Sequence, residues 1–192
     1  MKAVRDLHSE LLLLNTKSSI KPCAQNNIQC AAVSVDGSMI MQKVQELYND
    51  KTLSLELKAI VELMVISGCR VSQALQINYK NISKNGQIKI VGSKNGLDIV
   101  VMPSKYKEFW ASYRRASINF QSIYSRFALY RLFKQYGIYS KVGNSSKYSV
   151  CHSLRHELAS DIATITNDKN IIANKLGHKS TNTQKFYIHN EK

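Results

Sequence analysis

Between positions 52 and 68 the apolar residues recur at the three- and four-residue spacing of a helix. This spacing puts them on one face, which predicts a helix that lies in the core and ends at Gly68. The turn after that helix brings Arg70 to a second, short helix predicted over 71–76. The apolar face consists of Leu53, Leu57, Ile60, Val61, Met64 and Val65.

Three strand-like segments follow, over 77–82, 87–91 and 97–102. The connections between them contain Asn85-Gly86 and Asn95-Gly96, and Asn-Gly pairs are typical of tight hairpins. The pattern therefore predicts a three-stranded antiparallel sheet, with Lys94 at the tip of the second hairpin.

The rest of the chain reads mainly as helices and polar connections. Helices are predicted over 3–15, 39–48, 103–115, 123–136, 153–165, 168–176 and 180–188, with polar loops over 16–29 and 141–149. The predicted fold class is mixed α/β, mostly helical with a small three-stranded antiparallel sheet. Residues 1–51 form a short N-terminal appendage of helix and linker, and residues 52–192 form the main domain.

The positive charge is concentrated in that main domain. Residues 1–50 carry five Lys or Arg and five Asp or Glu, whereas residues 51–192 carry 22 and 8, which accounts for the whole net charge of +14. Such a distribution is expected of a domain that lies against a polyanion. The alternative is a generally basic surface, since charge shows affinity for phosphate without showing chemistry.

Cysteine usage and the N-terminus indicate the compartment. The four cysteines show no CxxC pairing, as is typical of reduced thiols in an intracellular protein. The opening residues have four consecutive leucines, interrupted upstream by charged residues, which is neither a signal peptide nor a membrane span. We expect a cytoplasmic protein with no membrane partner.

Candidate chemistry lies near the C-terminus, over 151–187. His152 and Arg155 are three residues apart, a spacing that puts both on one helix face, where they can hold one phosphate. His178 follows in a Leu-Gly-His turn, and Tyr187 lies nine residues after it. A tyrosine hydroxyl beside a phosphate held in this way can act as a nucleophile and form a phosphotyrosine.

Each of these features also has an ordinary structural interpretation. An HxxR pair arises by chance, a Leu-Gly-His turn can be a helix C-cap, and Tyr187 is one of ten tyrosines. Arg70 alone could be a buried structural arginine. Lys94 could be a solvated turn lysine, with Lys84 and Lys89 as competitors for any special role.

In combination, and together with the segment GCRVSQAL that starts at Gly68, these features resemble the tyrosine recombinase, or phage integrase, family. That family has a G-x-R-x-S-E-x-L segment, a lysine in a β-turn, H-x-x-R-H, L-G-H, and a tyrosine nine residues after the last histidine. The resemblance spans about residues 52 to 188. It implies that the main domain is a catalytic domain with six catalytic residues: Arg70, Lys94, His152, Arg155, His178 and Tyr187.

The resemblance also implies a mechanism for cutting and rejoining DNA. Tyr187 would attack the scissile phosphate, and Lys94 would protonate the leaving 5′-oxygen. Arg70 and Arg155 would hold the non-bridging oxygens. His152 and His178 would donate hydrogen bonds to the same phosphoryl group, with His152 the better candidate for taking the tyrosine proton. The implied partners are double-stranded DNA, with nucleoid association when bound, and further copies of the chain, as a tetramer on paired sites.

No cofactor or metal is expected for this reaction. The covalent link conserves the energy of the phosphodiester, and the sequence has neither a P-loop nor a cluster of acidic residues suited to magnesium. Zinc at His152 and His156 is the metal alternative, but Ser153 stands where the HExxH pattern has glutamate. The functional alternatives are a type IB topoisomerase-like nicking enzyme and a catalytically silent DNA-binding accessory protein of the same fold.

Two features depart from the family pattern. Gln73 replaces the acidic residue that usually follows R-x-S, so the support of Arg70 would be neutral. Residues 1–51 are too short and too evenly charged for the DNA-clamping helical domain that family members usually carry at the N-terminus. These departures predict either a minimal recombinase with a catalytic domain alone or a truncated chain.

Overall fold

The computed structural model describes residues 35–92, 96–117, 124–141, 148–166 and 168–178. Within these residues it contains seven α-helices, one short 3-10 helix and two small antiparallel sheets. The helices are α1 (Val35–Asn49), α2 (Leu55–Ser67), α3 (Val71–Ala74), α4 (Lys107–Ala116), α5 (Arg126–Gln135), α6 (Ser153–Ile165) and α7 (Lys169–Lys175). The strands are β1 (Ile88–Ile90), β2 (Ile99–Val101), β3 (Ser140–Lys141) and β4 (Tyr148–Ser149). The predicted fold class, mostly helical with a small antiparallel sheet, is confirmed.

Helix α2 is the centre of the core. Its first turn is capped by the Ser54 side chain, which accepts a hydrogen bond from the Leu57 N–H (3.3 Å). Its last turn is closed by Gly68, whose φ of +60° suits a residue without a Cβ and whose N–H donates to the Met64 carbonyl. The predicted apolar face is buried, and residues 58 to 67 are buried without exception, Lys58, Glu62 and Ser67 included, so burial extends around this part of the helix.

The sheet nearest to α2 has two strands rather than three. Ile88 pairs with Val101 and Ile90 with Ile99. All four of these side chains are buried, whereas the intervening Lys89 and Val100 face outward, as the alternation of a half-buried sheet requires.

The strand predicted over 77–82 is wrong. The Asn78 side chain accepts a hydrogen bond from the Lys80 N–H (2.9 Å), and the Asn81 side chain accepts one from the Asn78 N–H (3.0 Å). These reciprocal bonds fold Tyr79–Asn81 into the 3-10 helix, because short polar side chains compete with the ladder for backbone groups. At the end of this segment, Ile82 pairs with the sheet through an isolated bridge to Ile88.

Helix α1 packs against the same apolar core as α2 and the first sheet. Ile40, Val44 and Leu47 form its buried side and belong to one apolar cluster with α2 and the first sheet. The helix begins at Val35, four residues before the predicted start. The division of the chain at residue 51 stays a prediction.

Most other helices lie close to their predicted ranges, and one pair of strands was not predicted. Helix α6 has its predicted bounds, and α7 differs from its prediction by one residue at each end. The loop predicted over 141–149 carries β3 and β4 at its two ends, with Ser140 opposite Ser149. The helices predicted over 3–15 and 180–188 lie outside the described residues.

A carboxylate from α2 fixes the connection between the first sheet and α4. Glu62 is 3% exposed, and its carboxylate accepts hydrogen bonds from the backbone N–H groups of Ser104, Lys105 and Tyr106, at 3.1, 2.7 and 3.2 Å. Burial raises the pKa of Glu62, and these three N–H groups oppose that rise by stabilising the charged form. These bonds satisfy three backbone N–H groups just before α4, which starts at Lys107, later than predicted.

Glu62→Gln is expected to lower the free energy of unfolding by about 3 kcal/mol, because it replaces one of the acceptor oxygens with an NH₂ group that faces N–H donors. Urea unfolding followed by circular dichroism measures the change. Glu46→Gln is the matched control, since Glu46 lies on the surface in an ion pair with Lys43, and it is expected to change stability by less than about 1 kcal/mol. Equal unfolding midpoints for both variants would contradict the role of Glu62.

Candidate active site

Arg155 joins three helix ends at the centre of the candidate site. It lies in the first turn of α6 and is 6% exposed. One terminal nitrogen donates to the carbonyl oxygen of Gly68 at the end of α2 (2.5 Å), and the other donates to that of Leu176 at the end of α7 (2.8 Å). Because a buried charge must be well bonded, these contacts fix the guanidinium in one orientation.

His178 lies directly against this guanidinium. Its Nε2 contacts Nη2 of Arg155. An arginine nitrogen can only donate, so Nε2 acts as the acceptor and the ring proton is assigned to Nδ1. Burial, followed by the charges of Arg155 and Arg70, lowers the pKa of His178 to about 4. The imidazole is therefore neutral at physiological pH.

Arg70 and His152 lie on the same side of the molecule, at the starts of α3 and α6. Arg70 is the residue before α3, with extended backbone, and His152 is the exposed residue before α6. Partial burial of the imidazole lowers the pKa of His152, and the charges of His156, Arg70 and Arg155 lower it further. His152 is the residue before α6 and its carbonyl accepts a hydrogen bond from the His156 N–H (2.9 Å), while Arg155 is buried in the first turn. That the two side chains hold one phosphate together stays a prediction.

Gln73 has a structural role that the sequence interpretation missed. It is 5% exposed, its Oε1 accepts a hydrogen bond from the Arg70 N–H (3.0 Å), and its Nε2 donates to the Val91 carbonyl (2.9 Å). The sequence predicted only that the support of Arg70 would be neutral. The burial of Gln73 was the missing information, and no local pattern indicated it.

Of the six candidate residues, the structure brings four together: His152 and His178 each lie within electrostatic range of Arg70 and Arg155. Lys94 and Tyr187 lie outside the described residues. In the part of the chain that the structure describes, no group of three or more His, Cys, Asp or Glu side chains could hold a metal ion. No helix among the described residues is long and apolar enough to cross a membrane.

The lowered pKa of His178 predicts that the free energy of unfolding depends on pH. Between pH about 4 and 6.5, His178 is neutral when folded but takes up a proton when unfolded, so acidification favours the unfolded state. We therefore expect the urea midpoint to fall as the pH is lowered from 7 to 4.5. The pKa values of His152 and His156 are also lowered and act in the same direction, whereas the raised pKa of Glu62 acts in the opposite direction.

Comparing the wild type with His178→Asn isolates the contribution of His178, because the other groups titrate in both proteins. The variant is expected to lose less stability over the same pH range. Parallel curves for the two proteins would show that His178 is not the group responsible.

Comparisons with known proteins identify the family of the chain. The model of the phage integrase family matches residues 38–192. The chain is 29% identical over 196 aligned positions to tyrosine recombinase XerC of Rickettsia prowazekii, covering 92% of this chain and 62% of that protein. It is 29% identical over 145 positions to tyrosine recombinase XerS of Streptococcus agalactiae, covering 68% of this chain and 41% of that protein. The matches thus span 62% and 41% of the length of these two relatives.

Solved structures show the same fold at low sequence identity. The XerH site-specific recombinase bound to its palindromic difH substrate superposes with a TM-score of 0.59 at 20% identity, covering 97% of this chain and 61% of XerH. The catalytic domain of bacteriophage HP1 integrase gives 0.54 at 17% identity, covering 79% of this chain and 84% of that domain. Since the family model covers most of the sequence, and since these folds agree with it, the chain belongs to the phage integrase family, the tyrosine recombinases, and carries their catalytic-domain fold.

Proposed function

We propose that this chain is a site-specific DNA recombinase that cuts and rejoins DNA through a 3′-phosphotyrosine intermediate. The observation that carries the proposal is the frame around Arg155, in which a buried guanidinium and a neutral His178 are fixed by the ends of α2 and α7. A site fixed in advance stabilises developing charge without reorganising during the reaction.

In the proposed first step, the hydroxyl oxygen of Tyr187 bonds to the scissile phosphorus as the bond from phosphorus to the 5′-oxygen breaks. His152 takes the tyrosine proton, and Lys94 donates a proton to the departing 5′-oxygen. Arg70 and Arg155 hold the non-bridging oxygens, and His178 donates a hydrogen bond to the same group. Attack by a 5′-hydroxyl on the phosphotyrosine reverses these transfers and reseals the DNA.

The partners proposed for this reaction are double-stranded DNA and further copies of the chain. The excess of 22 basic over 8 acidic residues in 51–192 supports a nucleic-acid partner, because each neutralised phosphate contributes to affinity by releasing counterions. Strand exchange joins two sites with two strands each, and so we propose that four copies assemble on paired sites.

A nicked suicide substrate tests the proposal. Loss of a short 5′-hydroxyl fragment prevents religation, so wild-type protein is expected to form a covalent DNA adduct that survives denaturing electrophoresis. Adduct formation is expected to continue at an unchanged rate in excess EDTA, because arginine, histidine and lysine activate the phosphate in place of a metal ion. Activity that is lost with EDTA and restored by magnesium or zinc would replace the recombinase proposal with a metal-dependent nuclease.

A further inference from the structure

The Gln73 amide connects two parts of the site that are far apart in the sequence. Its oxygen holds the backbone of Arg70, and its nitrogen holds the carbonyl of Val91, eighteen residues further on. Both bonds are made by a side chain that is almost fully buried. An amide can do this because it carries a donor and an acceptor, whereas a carboxylate carries acceptors only.

Val91 is one of two attachment points of the hairpin that contains Lys94. It directly follows β1, at the start of the loop that leads to β2. At the other end of the loop, the Leu97 N–H donates to the carbonyl of Gly177, the residue before His178 (3.0 Å). Gly177 has a φ of +65°, and a Cβ there would lie 2.7 Å from the Leu97 carbonyl oxygen, so this contact requires glycine. The loop is thus tied to the Arg70 segment at one end and to the His178 segment at the other.

We propose that Gln73 is a positioning residue that sets the Lys94 hairpin relative to Arg70. This inference rests on the proposed function. The family usually has an acidic residue at this position, and here the amide supplies the donor that the Val91 carbonyl needs. A glutamate in place of Gln73 would keep an acceptor for the Arg70 N–H but would bring a negatively charged oxygen against the Val91 carbonyl oxygen. The start of the loop between β1 and β2 would then shift relative to Arg70, and leaving-group protonation, which the proposed function assigns to Lys94 of this loop, would slow.

Gln73→Glu tests the inference on two suicide substrates, one ordinary and one with sulfur in place of the 5′-bridging oxygen. Sulfur leaves without a proton, so a defect in leaving-group protonation disappears on that substrate. We expect Gln73→Glu to slow adduct formation on ordinary DNA roughly 10- to 100-fold, as misplacement of a catalytic group does, and to recover most of the loss on the sulfur substrate. Lys94→Ala serves as the reference for this pattern.

Gln76→Glu is the matched control. It makes the same change of side chain and of charge three positions away, at an exposed residue, and it is expected to behave as wild type on both substrates. Thermal melting of each variant shows whether it is folded at the assay temperature. If Gln73→Glu does not fold, Gln73→Met removes the amide bonds to Val91 and to the Arg70 N–H without adding charge. A sulfur-to-oxygen rate ratio several-fold above that of wild type is then expected if the loss of the Val91 bond dominates.

Two results would overturn the inference. A wild-type rate for the folded Gln73 variant would show that the bond to Val91 does not matter, and an equal defect on both substrates would place its effect on Arg70 or on general stability. Failure of the wild-type protein to form an adduct on either substrate is a different result, because it contradicts the proposed function itself.

Discussion

Tyr187→Phe is expected to abolish the covalent DNA adduct while leaving DNA affinity within about twofold of wild type. The change deletes one nucleophilic oxygen and no charge, so the phosphate contacts that dominate affinity remain. Denaturing electrophoresis with the suicide substrate measures the adduct, and a gel shift under native conditions measures binding.

Tyr139→Phe is the control for this experiment, because it makes the same substitution at an exposed tyrosine in the described part of the chain. It is expected to leave the adduct unchanged. An adduct that persists in Tyr187→Phe would contradict the assignment, and Tyr148 and Tyr139 would then be the next candidates for the nucleophile.

Arg155→Lys is expected to slow adduct formation by roughly 10²- to 10³-fold, the typical cost of losing one well-placed donor to a developing negative charge. It is also expected to destabilise the fold. One ammonium group cannot reach the Gly68 carbonyl, the Leu176 carbonyl and the His178 ring as the planar guanidinium does. The helix ends that meet at Arg155 would therefore lose their common anchor.

The two effects of Arg155→Lys can be measured separately. Urea unfolding gives the loss of stability, and single-turnover adduct formation well below the melting temperature gives the loss of rate in the folded protein. Arg131→Lys makes the same change at an exposed position of α5 and is expected to alter neither quantity measurably. A folded Arg155→Lys protein with the wild-type rate would reduce Arg155 to a structural residue.

The sequence was most informative where a signal is local. The apolar spacing of α2, its end at Gly68, the bounds of α6 and the pairing of β1 with β2 all follow from neighbouring residues, and the structure confirms each of them. The order and spacing of the motifs also indicated the family, and the match of the family model over residues 38–192 confirms it. The positions of Lys94 and Tyr187 in the site stay predictions.

Only the tertiary structure decided how the local elements meet. The segment 77–82 has the composition of a strand, but the side chains of Asn78 and Asn81 bond to the N–H groups of Lys80 and Asn78 and fold Tyr79–Asn81 into a 3-10 helix. Arg155 donates hydrogen bonds to carbonyl oxygens 87 and 21 residues away in the sequence, and Gln73 donates one to a carbonyl 18 residues away. The pKa of His178 depends on burial and on two arginines that other elements supply. Such contacts depend on which groups are brought together and shielded from water, and that information lies in the packing of the whole chain rather than in any stretch of its sequence.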